Sequence, residues 1–330
     1  VTFRGSLPSW KGDRPLSALR LKMLTPEIKH KLTERGRIFK NVIFSPTYIT
    51  CEGAAYIPQY PYWTKVPTDS RIIIDPIGGY ISNPEFMSDF NRTFDEPDRD
   101  CVEMLSSIED ERLYMTVPYV PAFSFKTKQW IAAPVTQLVS IEYDDDAYEK
   151  LVLDSTYKHL IKLLVENNKN SFSDIIQGKS GGVIFLLHGS PGSGKTLTAE
   201  AVAESLHKPL YSISVGELGV TPESVERNLI SILQLGSRWN AVLLLDEADI
   251  FLEQRQDHDL VRNAMVAIFL RQLEYFDGTL FLTTNRVKNF DKAFNSRISL
   301  AIHYESQTPD IREKIWKILL EAAHINLYSD

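Results

Sequence analysis

Short apolar runs separated by turn-forming residues fill the first 145 positions. β-Branched and aromatic side chains concentrate at residues 38–44, 48–56, 71–75, 112–117 and 138–143. Between them lie stretches such as Pro58-Gln59-Tyr60-Pro61 and Asp75-Pro76-Ile77-Gly78-Gly79. Runs punctuated in this way by Pro and Gly predict a mainly β domain over 1–145, with one helical segment at 26–35. From residue 146 the apolar period lengthens. Leu151, Leu153, Leu160, Leu163 and Leu164 supply the apolar face of a predicted helical connector over 146–170. Beyond it strand and helix alternate, with strands at 183–188, 210–215, 241–245, 280–284 and 300–304. Helices are expected at 196–206, at 222–235 and through Val261, Met265, Phe269, Leu273 and Phe276. Thr221 is placed to cap the helix at 222–235, Pro222 takes its first position and Gly236 follows its end. Such alternation predicts an α/β core with a largely parallel sheet, here over 171–306. A helix from 309 to about 322 opens the last segment, 307–330. The chain shows no internal repeat and no low-complexity tract.

At 330 residues about two domains are expected, on a guide of roughly 100–200 residues each. A formal charge of −7 argues against a general nucleic-acid coat, which carries a basic face. Cys51 and Cys101 give neither a disulfide framework nor a metal-ligand spacing, and read as buried reduced thiols of a cytosolic or nuclear protein. No apolar run approaches the ~20 residues that span a bilayer. The N-terminal residues carry no initiator Met and no signal-peptide core, so the sequence reads as a fragment from which a targeting segment can be missing.

The strongest local signal is Gly189-Ser190-Pro191-Gly192-Ser193-Gly194-Lys195-Thr196, a full match to G-x-x-x-x-G-K-[ST] between an apolar strand and an Ala-rich helix. Glycines let successive N–H groups turn into one concavity that holds phosphate oxygens. The helix N-terminus adds partial positive charge. Lys195 would reach the β- and γ-phosphates of ATP, and the Thr196 hydroxyl would coordinate Mg²⁺.

Strand 241–245 then delivers Asp246-Glu247-Ala248-Asp249. Asp246, at the strand tip, would hold Mg²⁺ through its water shell. Glu247, one residue on, would polarise the attacking water. Strand 280–284 ends in Asn285-Arg286, and Asn285 is placed to orient that water. Arg286 is left without a role. Before the last strand, Phe294-Asn295-Ser296-Arg297-Ile298 offers a guanidinium suited to a transferring phosphoryl group, acting from a neighbouring subunit.

In this order the motifs resemble the AAA ATPases over residues 170–325. The likeness is closer to a group, best represented in fungi, that joins an AAA core to an N-terminal β-rich domain of unknown function. Phe185-Leu186-Leu187-His188-Gly189, the run from Trp239 to Asp249, Leu273-Glu274-Tyr275-Phe276 and Phe281-Leu282-Thr283-Thr284-Asn285-Arg286 carry it. The resemblance implies a P-loop NTPase core with a five-stranded parallel sheet and a helical lid that begins within 307–330. It also implies ATP and Mg²⁺ as cofactors, and homo-oligomeric rings, commonly hexameric, that remodel a macromolecule. It supports Asn285 as sensor and Arg297 as the finger in trans, and puts Ile176 and Gly178, in Asp174-Ile175-Ile176-Gln177-Gly178, near adenine. Two departures stand out. Glu217-Leu218-Gly219-Val220-Thr221 lacks the aromatic of threading pore loops, and Ser296-Arg297 offers one arginine where typical members have two.

The leading expectation is Mg²⁺-dependent ATP hydrolysis driving remodelling of a protein partner, in an intracellular, cytoplasmic or nuclear, protein. One alternative is an ATP-gated oligomeric scaffold with little turnover. A nucleic-acid-directed ATPase has for support only Lys29, Lys31, Arg35, Arg37, Phe39 and Lys40, which a solvated basic face explains better. The aromatic-rich first domain, with Trp63, Tyr80 and Trp130, could recruit the partner, or these rings could simply pack a β core.

Overall fold

A computed structural model describes residues 24–59, 62–94, 110–166, 181–252, 259–285, 291–305 and 308–322. The chain divides between Ile141 and Glu142 into two compact units.

The first unit is built on a seven-stranded antiparallel sheet of order β3-β2-β6-β5-β4-β1-β7. Its strands are β1 (Thr47–Cys51), β2 (Ala54–Gln59), β3 (Tyr62–Pro67), β4 (Ser70–Ile74), β5 (Tyr119–Ser124), β6 (Gln129–Pro134) and β7 (Leu138–Val139). Helix α1 (Pro26–Ile43) begins at Thr25, whose hydroxyl accepts the Ile28 N–H at 3.3 Å. It runs through residues 38–43 of the run 38–44, where a strand was expected. Gly36, Phe39, Val42 and Ile43 are its buried positions, and the burial of that stripe outweighs the strand preference of its β-branched residues. Residues 112–117 were also read as a strand. The chain instead forms a 3₁₀ turn over Asp110–Met115 against α1. A Cβ on Gly36 would lie 2.1 Å from the Leu113 carbonyl oxygen, so the close approach needs glycine there.

Three further expectations change. The run at 48–56 breaks at Gly53, which turns the chain at φ +90° between β1 and β2. The Asp75–Gly79 turn is the start of α2 (Pro76–Ser82), and α3 (Pro84–Phe94) follows it. The run at 138–143 pairs only over Leu138–Val139. Cys51, Ile72, Ile74, Val120, Ala122 and Ile131 form the core shared with α1. Trp130 is buried against Phe86 and Phe123, in keeping with a packing role. Cys101 lies outside the described residues.

In the second unit a five-stranded parallel sheet has the order β12-β8-β11-β10-β9. The strands are β8 (Val183–Gly189), β9 (Leu210–Ser214), β10 (Val242–Asp246), β11 (Thr279–Thr284) and β12 (Leu300–Tyr304). The segment before it forms α4 (Ala147–Lys150) and α5 (Ser155–Glu166). Leu160 and Leu163 are exposed, and it is Ile161 and Val165 that α5 buries, with Leu164 partly covered. Helix α6 (Lys195–Ser205) follows β8, α7 (Val215–Leu218) follows β9, and α8 (Pro222–Arg238) is capped by Thr221, which accepts the Ser224 N–H at 3.3 Å. Gly236 is inside α8 and not beyond it, and a Cβ there would press on Leu243 at 2.7 Å, so packing rather than helix termination calls for glycine. Then come α9 (Asp249–Leu252), α10 (Leu260–Glu274) and α11 (Pro309–Ala322). Helix α10 buries Val266, Phe269, Leu270 and Leu273, while Val261 is exposed.

Candidate functional site

The site lies at the C-terminal ends of the parallel strands, where open α/β sheets hold ligands. Strand β8 is buried along nearly its whole length and ends in Gly189. A Cβ on Gly189 would sit 2.2 Å from the Tyr304 carbonyl oxygen, so the neighbouring strand excludes any side chain there. Gly192 and Gly194 adopt φ of +72° and +95°, and a Cβ on either would meet nothing within 4 Å. Glycine is needed at these two for backbone conformation, and the space beside them stays open.

Lys195 begins α6 and is 7% exposed. Its ammonium donates to the Gly189 carbonyl at 3.1 Å, the Ser190 carbonyl at 2.8 Å and the Ser193 hydroxyl at 3.4 Å. Burial lowers its pKa from the usual lysine value, and Asp246 and Asp249 oppose that shift. Further along α6, the Thr198 hydroxyl meets the Tyr304 hydroxyl at 2.6 Å. Burial pushes that phenol up to about 12. The base of the loop is thereby tied to β12.

Asp246 closes β10. One carboxylate oxygen stands 3.5 Å from the Thr196 hydroxyl, and the other accepts the Thr283 hydroxyl. Glu247 turns away from the strand at φ +56°, a left-handed conformation unusual for a residue with a Cβ. That turn is held by its N–H donating to the Thr283 hydroxyl at 3.1 Å and by the Ala248 N–H donating to the Thr283 carbonyl at 2.9 Å. Thr284 donates to the Asp249 carboxylate. Strand β11 lies between β8 and β10, so Asn285, just past its end, emerges between the loop and the acidic tip.

Pro191, Gly192, Ser193, Gly194, Lys195, Thr196, Leu197, Asp246, Glu247 and Asn285 line one cavity of about 410 Å³. Hydroxyl, carboxylate, ammonium and loop N–H groups here share one opening. Thr283, which braces Asp246 and Glu247, and Thr284, which braces Asp249, were not singled out from sequence. The available signal was two hydroxyls closing an otherwise apolar strand. Arg297 is elsewhere. Its guanidinium donates to the Leu270 carbonyl at 3.0 Å, the Ala293 carbonyl at 2.9 Å and the Ser296 hydroxyl at 3.1 Å, and pairs with Glu274 at 3.1 Å. Ile176, Gly178 and Arg286 lie outside the described residues.

A parallel sheet with a glycine-rich strand–helix loop and an acidic neighbouring strand tip defines a P-loop nucleotide-binding core. Residues 185–306 match the family model "ATPase family associated with various cellular activities (AAA)", and this part of the chain is an AAA-family ATPase domain. The human "ATPase family AAA domain-containing protein 3B" is 31% identical over 142 residues, covering 40% of this chain and 22% of its own length. The "ATPase family AAA domain-containing protein FIGL1" of Arabidopsis thaliana is 29% identical over 170 residues, 48% of this chain and 25% of its own. A "Putative 26S proteasome regulatory subunit homolog" of Methanothermobacter thermautotrophicus is 32% identical over 146 residues, 41% and 38% respectively. A solved structure titled "Crystal structure of FIGL-1 AAA domain in complex with ADP" is 22% identical, with a TM-score of 0.43 over 56% of this chain and 63% of that one. The chain thus spans between about a fifth and two fifths of the length of these curated relatives. No helix among the described residues is long and apolar enough to cross a membrane.

Proposed function

We propose that the second unit binds ATP and hydrolyses it with Mg²⁺, and that turnover drives remodelling of a protein partner by a homo-oligomer. The observation that carries this reading is the meeting of Lys195, Thr196, Asp246, Glu247 and Asn285 around one cavity. Loop N–H groups between Ser190 and Gly194 receive the phosphates, with the α6 N-terminus behind them. Lys195 exchanges its loop carbonyls for phosphate oxygens. The Thr196 hydroxyl and the Asp246 carboxylate, 3.5 Å apart, are the oxygen donors that a small hard cation prefers, and these two residues would hold Mg²⁺. When bound, the ion neutralises charge on the β- and γ-phosphates. Glu247 accepts a proton from water as its oxygen bonds to the γ-phosphorus and the β–γ bridging bond breaks, leaving ADP and phosphate. Asn285 orients that water.

The finer placement in the fungal-type group rests on the stretches quoted above, and an intracellular location on the reading of Cys51 and Cys101 as reduced thiols. Arg297 as a finger in trans requires that it leave Glu274 and its carbonyl partners on assembly. The whole reading is tested by the ATPase rate over a protein concentration series beside Glu247→Gln. Specific activity that rises with concentration and disappears in the variant, which still binds ATP, is the expected result. Equal rates in the two proteins would leave a nucleotide-gated scaffold.

A further inference from the structure

Two imidazoles face each other where β8 and β12 end. His188 and His303 are direct partners in the parallel register. Their rings stack 4.8 Å apart at 28°, and their Nδ1 atoms are 3.2 Å apart. Each belongs to a sheet ladder, with buried Leu187 beside one and buried Ile302 beside the other. The spacing is therefore set by backbone pairing rather than by a loop.

Two nitrogens at that distance, each about 2.0–2.1 Å from a shared ion, subtend roughly 100° at it, between the tetrahedral and octahedral angles. We propose that His188 and His303 together chelate one borderline divalent cation, with zinc as the leading case, at a site distinct from the Mg²⁺ position. Imidazole selects zinc, copper or nickel, whereas magnesium takes oxygen donors. Among the described residues no group of three or more His, Cys, Asp or Glu side chains forms a metal cluster. Water therefore completes the shell, and the site is weaker than a three- or four-ligand one.

In the metal-free chain one Nδ1–H donates to the facing Nδ1. On binding, that ring moves its proton to Nε2, and both Nδ1 lone pairs turn to the ion. His303 is exposed, so the turning ring is assigned to it. Burial, then His303 and Lys195, hold His188 below the ordinary imidazole range. The position gives such a site leverage. His188 precedes Gly189, whose carbonyl takes the Lys195 ammonium, so an ion joining β12 to β8 would stiffen the root of the phosphate loop.

The test is equilibrium dialysis of the full chain against Zn²⁺ in excess Mg²⁺, with Co²⁺ absorption as a second readout. The wild type should hold one equivalent that His303→Ala and His303→Gln lose. His207→Ala should keep it, since His207 pairs with Asp145 at 2.6 Å and takes no part in the pair. Substitution at exposed position 303 leaves the core intact, which a matched thermal melt checks. Undiminished zinc in both His303 variants, or none in the wild type, overturns the proposal. Neither readout depends on ATP turnover.

Discussion

The Thr283 hydroxyl donates to the Asp246 carboxylate while accepting the Glu247 N–H at 3.1 Å. One small side chain on β11 thus fixes both acidic residues of the neighbouring strand tip, one through its side chain and the other through its backbone. Thr283 is 1% exposed, so no water replaces it cheaply.

Thr283→Val keeps the shape and removes the hydroxyl. Leaving a carboxylate oxygen and an N–H without this partner should cost about 1–3 kcal/mol of stability. Turnover should fall at least tenfold while nucleotide affinity changes little. Thr283→Ser should restore most of both, read by thermal melting and steady-state ATPase rates.

Lys195→Ala should weaken ATP binding by about 2 kcal/mol or more, roughly thirtyfold, as expected for a charge-assisted hydrogen bond to phosphate. A fluorescent ATP analogue measures it. Unchanged affinity would mean that the ammonium remains on the Gly189 and Ser190 carbonyls when nucleotide is bound.

Arg297 should matter to the isolated protomer. With three protein acceptors and Glu274 around a guanidinium whose side chain is 23% exposed, Arg297→Ala should lower the melting temperature under dilute, monomeric conditions. Arg297→Lys should recover little of it, because an ammonium cannot span the same acceptors. A residue serving only in trans would leave that melt unchanged.

Cys51 supplies a pH prediction. Burial, then Asp69 and Glu52, push its thiol up to about 11. The unfolded thiol ionises near 8.5. Folding therefore favours the neutral thiol, and its contribution is complete below about pH 8.5. It is lost as pH rises toward 11, by up to ~3 kcal/mol. Urea unfolding at pH 8 and pH 10.5 should show a steeper decline for the wild type than for Cys51→Ala.

The second unit was largely legible because its determinants are local. The loop from Gly189 to Thr196 and the Asp246-Glu247 pair are contiguous motifs, and the strands that carry them are continuous apolar runs. The first unit was harder, because contacts distant in sequence decide it. Nothing near residues 38–44 announces that Gly36 must meet the Leu113 carbonyl, and without that contact the run reads as a strand. The surroundings of Arg297 were hidden for the same reason, since Leu270 and Glu274 belong to a helix that an intervening strand separates from it. Leu160 and Leu163 misled because leucine marks apolarity without saying which side of a helix faces the core.

The place of β11 between β8 and β10 has a further consequence. Chain order and spatial order disagree, so the phosphate loop and the acidic tip are both synthesised before the strand that joins them. A nascent chain that ends ahead of Thr279 holds two strand edges waiting for one partner. The joining of β8 to β10 and completion of the nucleotide cavity then occur in a single event, and a chain cut before that point should have neither.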